Sequence, residues 1–324
     1  MSEVKNRSEI LFLYDIKDAN PNGDPLDENK PRIDEETGIN IVTDVRLKRT
    51  IRDYFINFKG YDGHADKDVF VKETIYDKEK GYIKDGKTRA KDFKENPEIV
   101  LKNCIDIRLF GAVIPLETKR DKSKKNSVET EGEEERGKDN SITFTGPVQF
   151  RIGRSLHKVE LKHIKGTGAF ASKLEATQKT FREEDILPYS LICFYGIVNE
   201  NAAKTTHLSE EDLTLMLEGM WNGTKNLISR TKVGQTPRLI IRVKYKEGNY
   251  HIGDLERLIK LNSQKRDEAI MDISEVSIDA TELVNCLNMN KSKIESIDIA
   301  IDTRLNLSLE GLDTSIKKNK LSFE

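Results

Sequence analysis

The sequence predicts an α+β fold of the ferredoxin-like kind, one sheet backed by helices and carrying insertions. Three observations point to it. Strand-like apolar runs and two amphipathic helices follow the order strand–helix–strands–helix–strands. The stretches that interrupt them are highly charged and have no clean period, as insertions would. At 324 residues the chain can bury a sizeable core, as one large domain with insertions or as two ordinary ones.

The first strand is 10–16, Ile-Leu-Phe-Leu-Tyr-Asp-Ile. A polar loop follows at 18–25, with Asn20, Asn22 and Asp24, and a second polar stretch at 29–34 holds Lys30, Arg32 and Asp34. Residues 43–58 read as a helix. Thr43 suits the N-cap, and Asp44 is favourable in the first turn. Leu47, Ile51, Tyr54, Phe55 and Phe58 build one apolar face, Arg46, Arg49 and Arg52 share its neighbour, and Gly60 ends the run.

Residues 61–96 are charged with short apolar pieces and read as an insertion rather than a core element. Pro97 opens a short helix to Cys104, and 105–110 reads as a strand or a tight core turn. Residues 117–140 hold Val128 as their only large apolar residue, which cannot offset ordering entropy, so a flexible loop is expected.

Val148, Phe150 and Ile152 alternate with polar residues or glycine, as in a half-buried strand. Residues 161–187 have no clean period and read as a projection that leaves and re-enters the core. A buried strand follows at 191–198. Ser209 and Asp212 form a capping box ahead of the second helix, whose apolar face is Leu213, Met216, Leu217, Met220 and Trp221. Leu239, Ile241, Val243 and Tyr245 then alternate with Ile240, Arg242, Lys244 and Lys246, a strand with one face mostly cationic. Residues 294–301 alternate likewise as a last strand.

Charged residues make up 34 % and hydrophobic ones 36 %, and the net charge is −2, so the whole chain does not announce a polyanionic partner. Cys104, Cys193 and Cys286 are far apart and form no CxxC pair, which suits a reduced intracellular protein with buried thiols. No apolar leader or membrane-length apolar run is visible, so a cytoplasmic protein with no membrane contact is expected.

The five histidines show no metal-ligand spacing, GxSxG and Walker A motifs are absent, and no metal or cofactor is expected. Asp24, Asp27 and Asp34 could hold a divalent ion, but without EF-hand spacing; Asx turns explain the same loop. The basic clusters are more informative. Arg46, Lys48, Arg49 and Arg52 crowd one helix, and Arg151, Arg154, His157 and Lys158 follow a strand. Residues 222–246 carry seven Lys or Arg and no acid. Any one cluster could be a solvated face; three on separate elements favour a groove along a phosphate backbone. Single-stranded RNA is favoured, since no duplex-DNA motif is present, and the lack of an RNP1-like aromatic run puts the weight on backbone contacts. Lys232, Gln235 and Arg238 around Gly234 read as a phosphate loop or as an ordinary turn.

A set of motifs keeps one order along about two thirds of the chain: Tyr14-Asp15, Asn20-Pro21-Asn22-Gly23-Asp24-Pro25, Arg32-Ile33-Asp34, Thr43-Asp44-Val45-Arg46-Leu47-Lys48-Arg49, Asp106-Ile107-Arg108-Leu109-Phe110-Gly111-Ala112-Val113, Gly146-Pro147-Val148-Gln149-Phe150, Arg154-Ser155, Leu187-Pro188-Tyr189 and Ser209-Glu210-Glu211-Asp212-Leu213. In these the chain resembles the backbone subunit of type I CRISPR Cascade complexes, the Cas seven family of the RAMP superfamily. It is nearest the I-B branch, which is related to I-C. The resemblance implies an RRM-like palm from 1–60 and 141–324, a helical fingers insertion at 61–140 and a thumb hairpin at 161–187. It implies an antiviral, non-enzymatic subunit that polymerises head to tail in a helical filament along a CRISPR guide RNA. Its further partners would be target DNA reached through the guide, other Cascade subunits and a recruited nuclease-helicase. The RNA-binding residues it implies are Asn20, Asn22, Lys30, Arg32, Arg46, Lys48, Arg49, Arg52, Arg108, Arg151, Arg154, His157, Lys158, Lys232, Gln235 and Arg238. The alternative is a metal-dependent ribonuclease of a type III-like effector, using the acidic loop after the first strand.

Overall fold

A computed structural model describes residues 2–115, 141–171, 179–246 and 248–323, with side chains left undescribed at 167–182. The loop expected to be flexible at 117–140 and the tip of the 161–187 projection lie outside the described residues. The chain is a mixed α/β protein on one central mixed sheet. In chain order, β1 is Ser8–Ala19, β2 Ile39–Val42, α1 Asp44–Phe58, α2 Gly86–Lys91, α3 Pro97–Asn103, α4 Ile105–Phe110, β3 Gly111–Pro115 and β4 Ser141–Thr145. Then come β5 Val148–Phe150, β6 Gly153–Lys158, β7 Lys162–Ala171, β8 Lys179–Val198, α5 Glu200–Thr206, α6 Glu210–Glu218 and β9 Thr236–Tyr245. The C-terminal part adds β10 Lys260–Ser263, β11 Val276–Asp279, α7 Thr281–Met289, β12 Ile294–Ile301 and β13 Lys317–Lys320.

The sheet runs β13-β12-β9-β1-β8-β6-β2, with β5 and β7 also paired to β8. Every pair is antiparallel except β12 with β13. The central strand β1 is buried at nearly every position. One of its faces, Ile10, Phe12, Tyr14 and Ile16, packs with Ile192 and Phe194 under Leu47, Ile51 and Phe55 of α1 and Leu213, Met216 and Leu217 of α6. The opposite face, Leu11 and Leu13 with Leu191, Tyr195, Leu239 and Ile241, is covered by Leu255, Ile273, Ile278, Leu283, Leu305 and Ile316. Each such buried side chain contributes about 1.5–3 kcal/mol, so both layers are held to the sheet.

Thr43 caps α1 as expected, its hydroxyl accepting from the Arg46 N–H, and the Ser209–Asp212 capping box starts α6. Residues 105–110 are a helix, not a strand or turn. It starts after Cys104 with no side-chain capping bond, and Gly111 ends it at a φ of 66°, where a side chain would strike the Phe144 carbonyl at 2.2 Å. Phe70 and Phe93, from the stretch 61–96 read as an insertion rather than a core element, are buried together with Val100, Leu101, Ile107 and Ile114 in a small core of their own. The projection at 161–187 is the β7–β8 hairpin, in which Lys162 faces Ile186. Its return strand does not stop before the core; β8 runs unbroken for 20 residues from Lys179 to Val198. Pro188 falls at the one position where the ladder with β1 has no pair, opposite Asp18, whose φ is 48°.

The strand with the expected cationic face is buried on both sides, and its charges meet acids from other elements. Arg238 pairs with Asp15 at 2.8 Å and Asp302 at 2.7 Å, Arg242 with Glu210 at 3.0 Å, and Lys244 with Glu210 at 3.4 Å and Glu295 at 3.3 Å.

One buried carboxylate joins the sheet to the C-terminal layer. Glu9 of β1 is wholly buried and accepts from the Tyr195 and Tyr245 hydroxyls and from the main-chain N–H groups of Ile252, at 2.9 Å, and Gly253, at 2.8 Å. Glu9→Ala strands four donors, each costing about 1–3 kcal/mol when buried unpaired. It is expected to lower the urea midpoint strongly and to expose the 250–253 segment to hydrogen exchange first. A midpoint equal to that of the unmodified chain would contradict this role for Glu9.

Candidate nucleic-acid interface

The end of β1, the start of α1 and the loop before β9 meet at one junction. The strand ends at Ala19, and the Asn20 N–H donates to the Thr231 carbonyl at 2.8 Å. The Asn20 side chain donates to the Asn29 carbonyl at 2.7 Å, closing the polar loop on itself. Asn22 Oδ1 accepts from both the N–H and the hydroxyl of Thr43 at 2.9 Å, which fixes the start of the helix that carries Arg46. Gly234, at a φ of 91°, lets the second loop lie against β1; the Lys17 carbonyl is 3.6 Å from where its side chain would begin.

Two cations belong to the segments that meet here. The Lys232 ammonium donates to the Asn20 carbonyl at 2.5 Å, and Arg46 donates to the Thr50 hydroxyl at 3.2 Å. Burial, followed by repulsion from Arg46, lowers the Lys232 ammonium from its ordinary value to about 8. Burial also lowers Arg46, opposed by the nearby Tyr14 phenol and Asp53. Four buried polar atoms around the junction have no hydrogen-bond partner: Asn20 Oδ1, Arg32 Nε, Arg46 Nε and Gln235 Nε2. Two half-buried cations with neutral partners and several unmatched polar atoms form a site suited to an anion.

The remaining candidates fall into two physical classes. Lys30 pairs with Asp27 at 2.8 Å, Arg32 with Asp24 at 2.8 Å, Arg49 with Asp53 at 2.7 Å and Arg154 with Asp34 at 3.3 Å. Lys48 meets Asp44 at 3.0 Å, and Arg151 meets Asp254 at 2.5 Å and Glu256 at 2.6 Å while lying over the Tyr195 ring. Lys158 is exposed, its main-chain N–H bound to Asp267 at 3.0 Å. Lys48, with a side chain only 13 % exposed, is partly buried; the other pairs face solvent and hold about 0–1 kcal/mol, so a phosphate can displace their carboxylates at little cost.

The second class is committed to the interior. Arg52 meets the fully buried Asp106 at 2.9 Å, Arg108 grips both oxygens of Asp212 at 2.7 and 2.9 Å, and Arg238 bridges Asp15 and Asp302. His157 is buried and held below its ordinary value by desolvation; it donates from Nδ1 to the Lys158 carbonyl at 2.8 Å and accepts from the Leu191 N–H at 3.3 Å. These four residues hold helices and strands together. The junction also includes Tyr14 and Thr50, which the sequence reading did not single out. Thr50 was within reach of inference, being one helical turn beyond Arg46.

The acidic residues of the ribonuclease alternative are engaged too: Asp24 by Arg32, Asp27 by Lys30, and Asp34 by Arg154 and its own turn. Among the described residues no group of three or more His, Cys, Asp or Glu is placed to hold a metal ion. All three cysteines are free, with Cys104 and Cys193 buried. No described helix is long and apolar enough to cross a membrane.

The family model of CRISPR-associated protein Cas7 matches residues 6–281. The chain belongs to the Cas7 family. The CRISPR-associated protein Cas7 of Haloferax volcanii is 36 % identical to it, across 94 % of this chain and 89 % of that protein. The Cas7-family chain also shares its fold with a chain of a CRISPR RNA-guided surveillance complex in a pre-nicking state. That match has a TM-score of 0.52 and 11 % identity over 98 % of this chain and 96 % of the other. A chain of another CRISPR RNA-guided surveillance complex matches with a TM-score of 0.50 and 12 % identity, over 96 % and 94 %.

The two classes of arginine separate by stability. Arg52→Ala leaves the buried Asp106 with the Phe70 and Val71 N–H groups but without its counter-charge and is expected to cost about 3–5 kcal/mol, whereas Arg49→Ala is expected to change stability by less than about 1 kcal/mol. Urea unfolding followed by circular dichroism reads both. Equal losses would contradict the division.

Proposed function

We propose that this chain is a non-enzymatic backbone subunit that polymerises head to tail along a CRISPR guide RNA, holding its phosphates and leaving its bases to pair with target DNA. The observation that carries the reading is that Arg46 and Lys232, on two segments both tied to the end of β1, have neutral hydrogen-bond partners. Membership of the Cas7 family, and likeness to chains of RNA-guided surveillance complexes, support an RNA rather than a small anion as occupant.

The fold supports the same division of labour. The antiparallel order β9-β1-β8-β6, with a helix following β1 and another following β8, fits an RRM-like palm. Residues 61–140 are then fingers, with their own small core, and the β7–β8 hairpin at 161–187 is the thumb. Both faces of the palm sheet are covered, so no aromatic platform is open for base stacking. Guide phosphates are gripped at the strand end, by Arg46 and Lys232 with Asn20, Asn22 and Gln235, by the exchangeable cations Lys30, Arg32, Arg49, Arg151, Arg154 and Lys158, and by the partly buried Lys48. Sequence recognition is left to base pairing. Other Cascade subunits and a recruited nuclease-helicase complete the antiviral complex.

The test is the salt dependence of single-stranded RNA binding. Arg46→Gln should make the slope of log K against log salt shallower by about 0.7 per lost contact, and should weaken unrelated sequences alike. An unchanged slope, or a loss confined to one sequence, would sink the assignment.

A further inference from the structure

The junction that receives RNA phosphate in the proposed function has a second property. Lys232 is half-buried and its ammonium reaches one acceptor, the neutral Asn20 carbonyl. The loop that carries it is pinned, by the Asn20 N–H on Thr231 on one side and by the Gly234 approach to β1 on the other, so the side chain stays at the junction. The charged groups around it are accounted for. From α1, the positive charge of Arg46 repels it. From β1, Tyr14 lies by Arg46. In the loop after β1, Arg32 is paired with Asp24 and Lys30 with Asp27. Along β8, Glu184 is bound to Arg230 and Asp185 to His163. Among the described residues no carboxylate forms an ion pair with the ammonium. A cation in this position is costly while the site is empty and favourable once an anion arrives.

We propose that RNA binding at this junction is coupled to proton uptake, with Lys232 taking a proton from solvent on its Nζ as a phosphate oxygen comes to face it. This rests on the guide-RNA reading and adds a regulatory property to the same site. With the empty-site ammonium titrating at about 8, a neutral fraction waits at mildly alkaline pH, and the arriving negative charge restores the proton. The sign follows. The empty form binds fewer protons than the complex, so affinity falls as pH rises through the empty-site value and is flat below it. The free protein shows the opposite trend: burial of Lys232 holds its proton affinity below that of the unfolded chain, so its destabilising effect is greatest at low pH and fades as pH rises through about 8 toward the ordinary lysine value.

The experiment is binding of an oligonucleotide of adenosine and cytidine only, which has no base that loses a proton in the range, between about pH 7 and about pH 9. The unmodified chain is expected to lose about tenfold in affinity per bound copy across that range. Calorimetry in buffers of different ionisation enthalpy should report about half a proton taken up per copy near pH 8. Lys232→Arg, whose guanidinium stays charged throughout, should flatten the profile, and Lys291→Arg, in the C-terminal layer, should leave it as it was. A flat profile in the unmodified chain, or an equal fall in Lys232→Arg, would overturn the coupling while leaving RNA binding intact. Failure to bind the RNA at any pH would overturn the guide-RNA reading itself, and the coupling with it.

Discussion

The structure depends on one strand being buried on both faces. β1 pairs along its length with β8 on one side and β9 on the other, and its alternating side chains enter two separate cores. A strand of this kind needs a layer above and a layer below, which α1 with α6, and the segment after Tyr245, provide. It also needs an exit. The chain leaves the sheet at Ala19, and its first residue outside, Asn20, ties the loop before β9, while Asn22 ties the cap of α1. The place where the core strand ends is thus where two distant segments are brought together with their cations.

That geometry decides how RNA can be held. A four-stranded sheet with one open face reads bases by stacking them on aromatic side chains. Here the second face is filled, and Tyr189, Tyr195 and Tyr245 are buried, two of them bonded to Glu9 and one to Asp15. What remains for a ligand is the sheet's end and edges, populated by half-exposed Lys and Arg in weak ion pairs. In the proposed function such a surface holds a backbone without reading its sequence, as a guide-bearing scaffold must.

Much of this was legible in the sequence because local signals agreed. The Thr43 cap, the Ser209–Asp212 box and the apolar alternations at 10–16, 239–245 and 294–301 placed the central elements correctly. Residues 105–110 were misread because six apolar-rich residues show no period that separates helix from strand; the positive φ of Gly111 ends the helix. The C-terminal layer went largely unread, since β10, β11 and α7 are short and pack only on a sheet assembled from earlier segments. Among the site residues, Asn20, Arg46, Lys232 and Gln235 converge, but Arg52, Arg108, Arg238 and His157 are interior. The acid-free run at 222–246 was misleading for a plain reason: its partners come from Asp15, Glu210, Glu295 and Asp302, far away in sequence. A lone Asp15 within the apolar Tyr14-Asp15-Ile16 run was the sign that a buried cation would be needed.

The central claim is that the junction at the end of β1 holds the phosphates of a guide RNA. Purifying the chain from its own host and sequencing the RNA that accompanies it tests this most directly. The account predicts short RNAs of uniform length with repeat-derived ends, lost when Arg46 and Lys232 are both replaced by Gln. Absence of RNA, or random fragments that persist in that double variant, would contradict it.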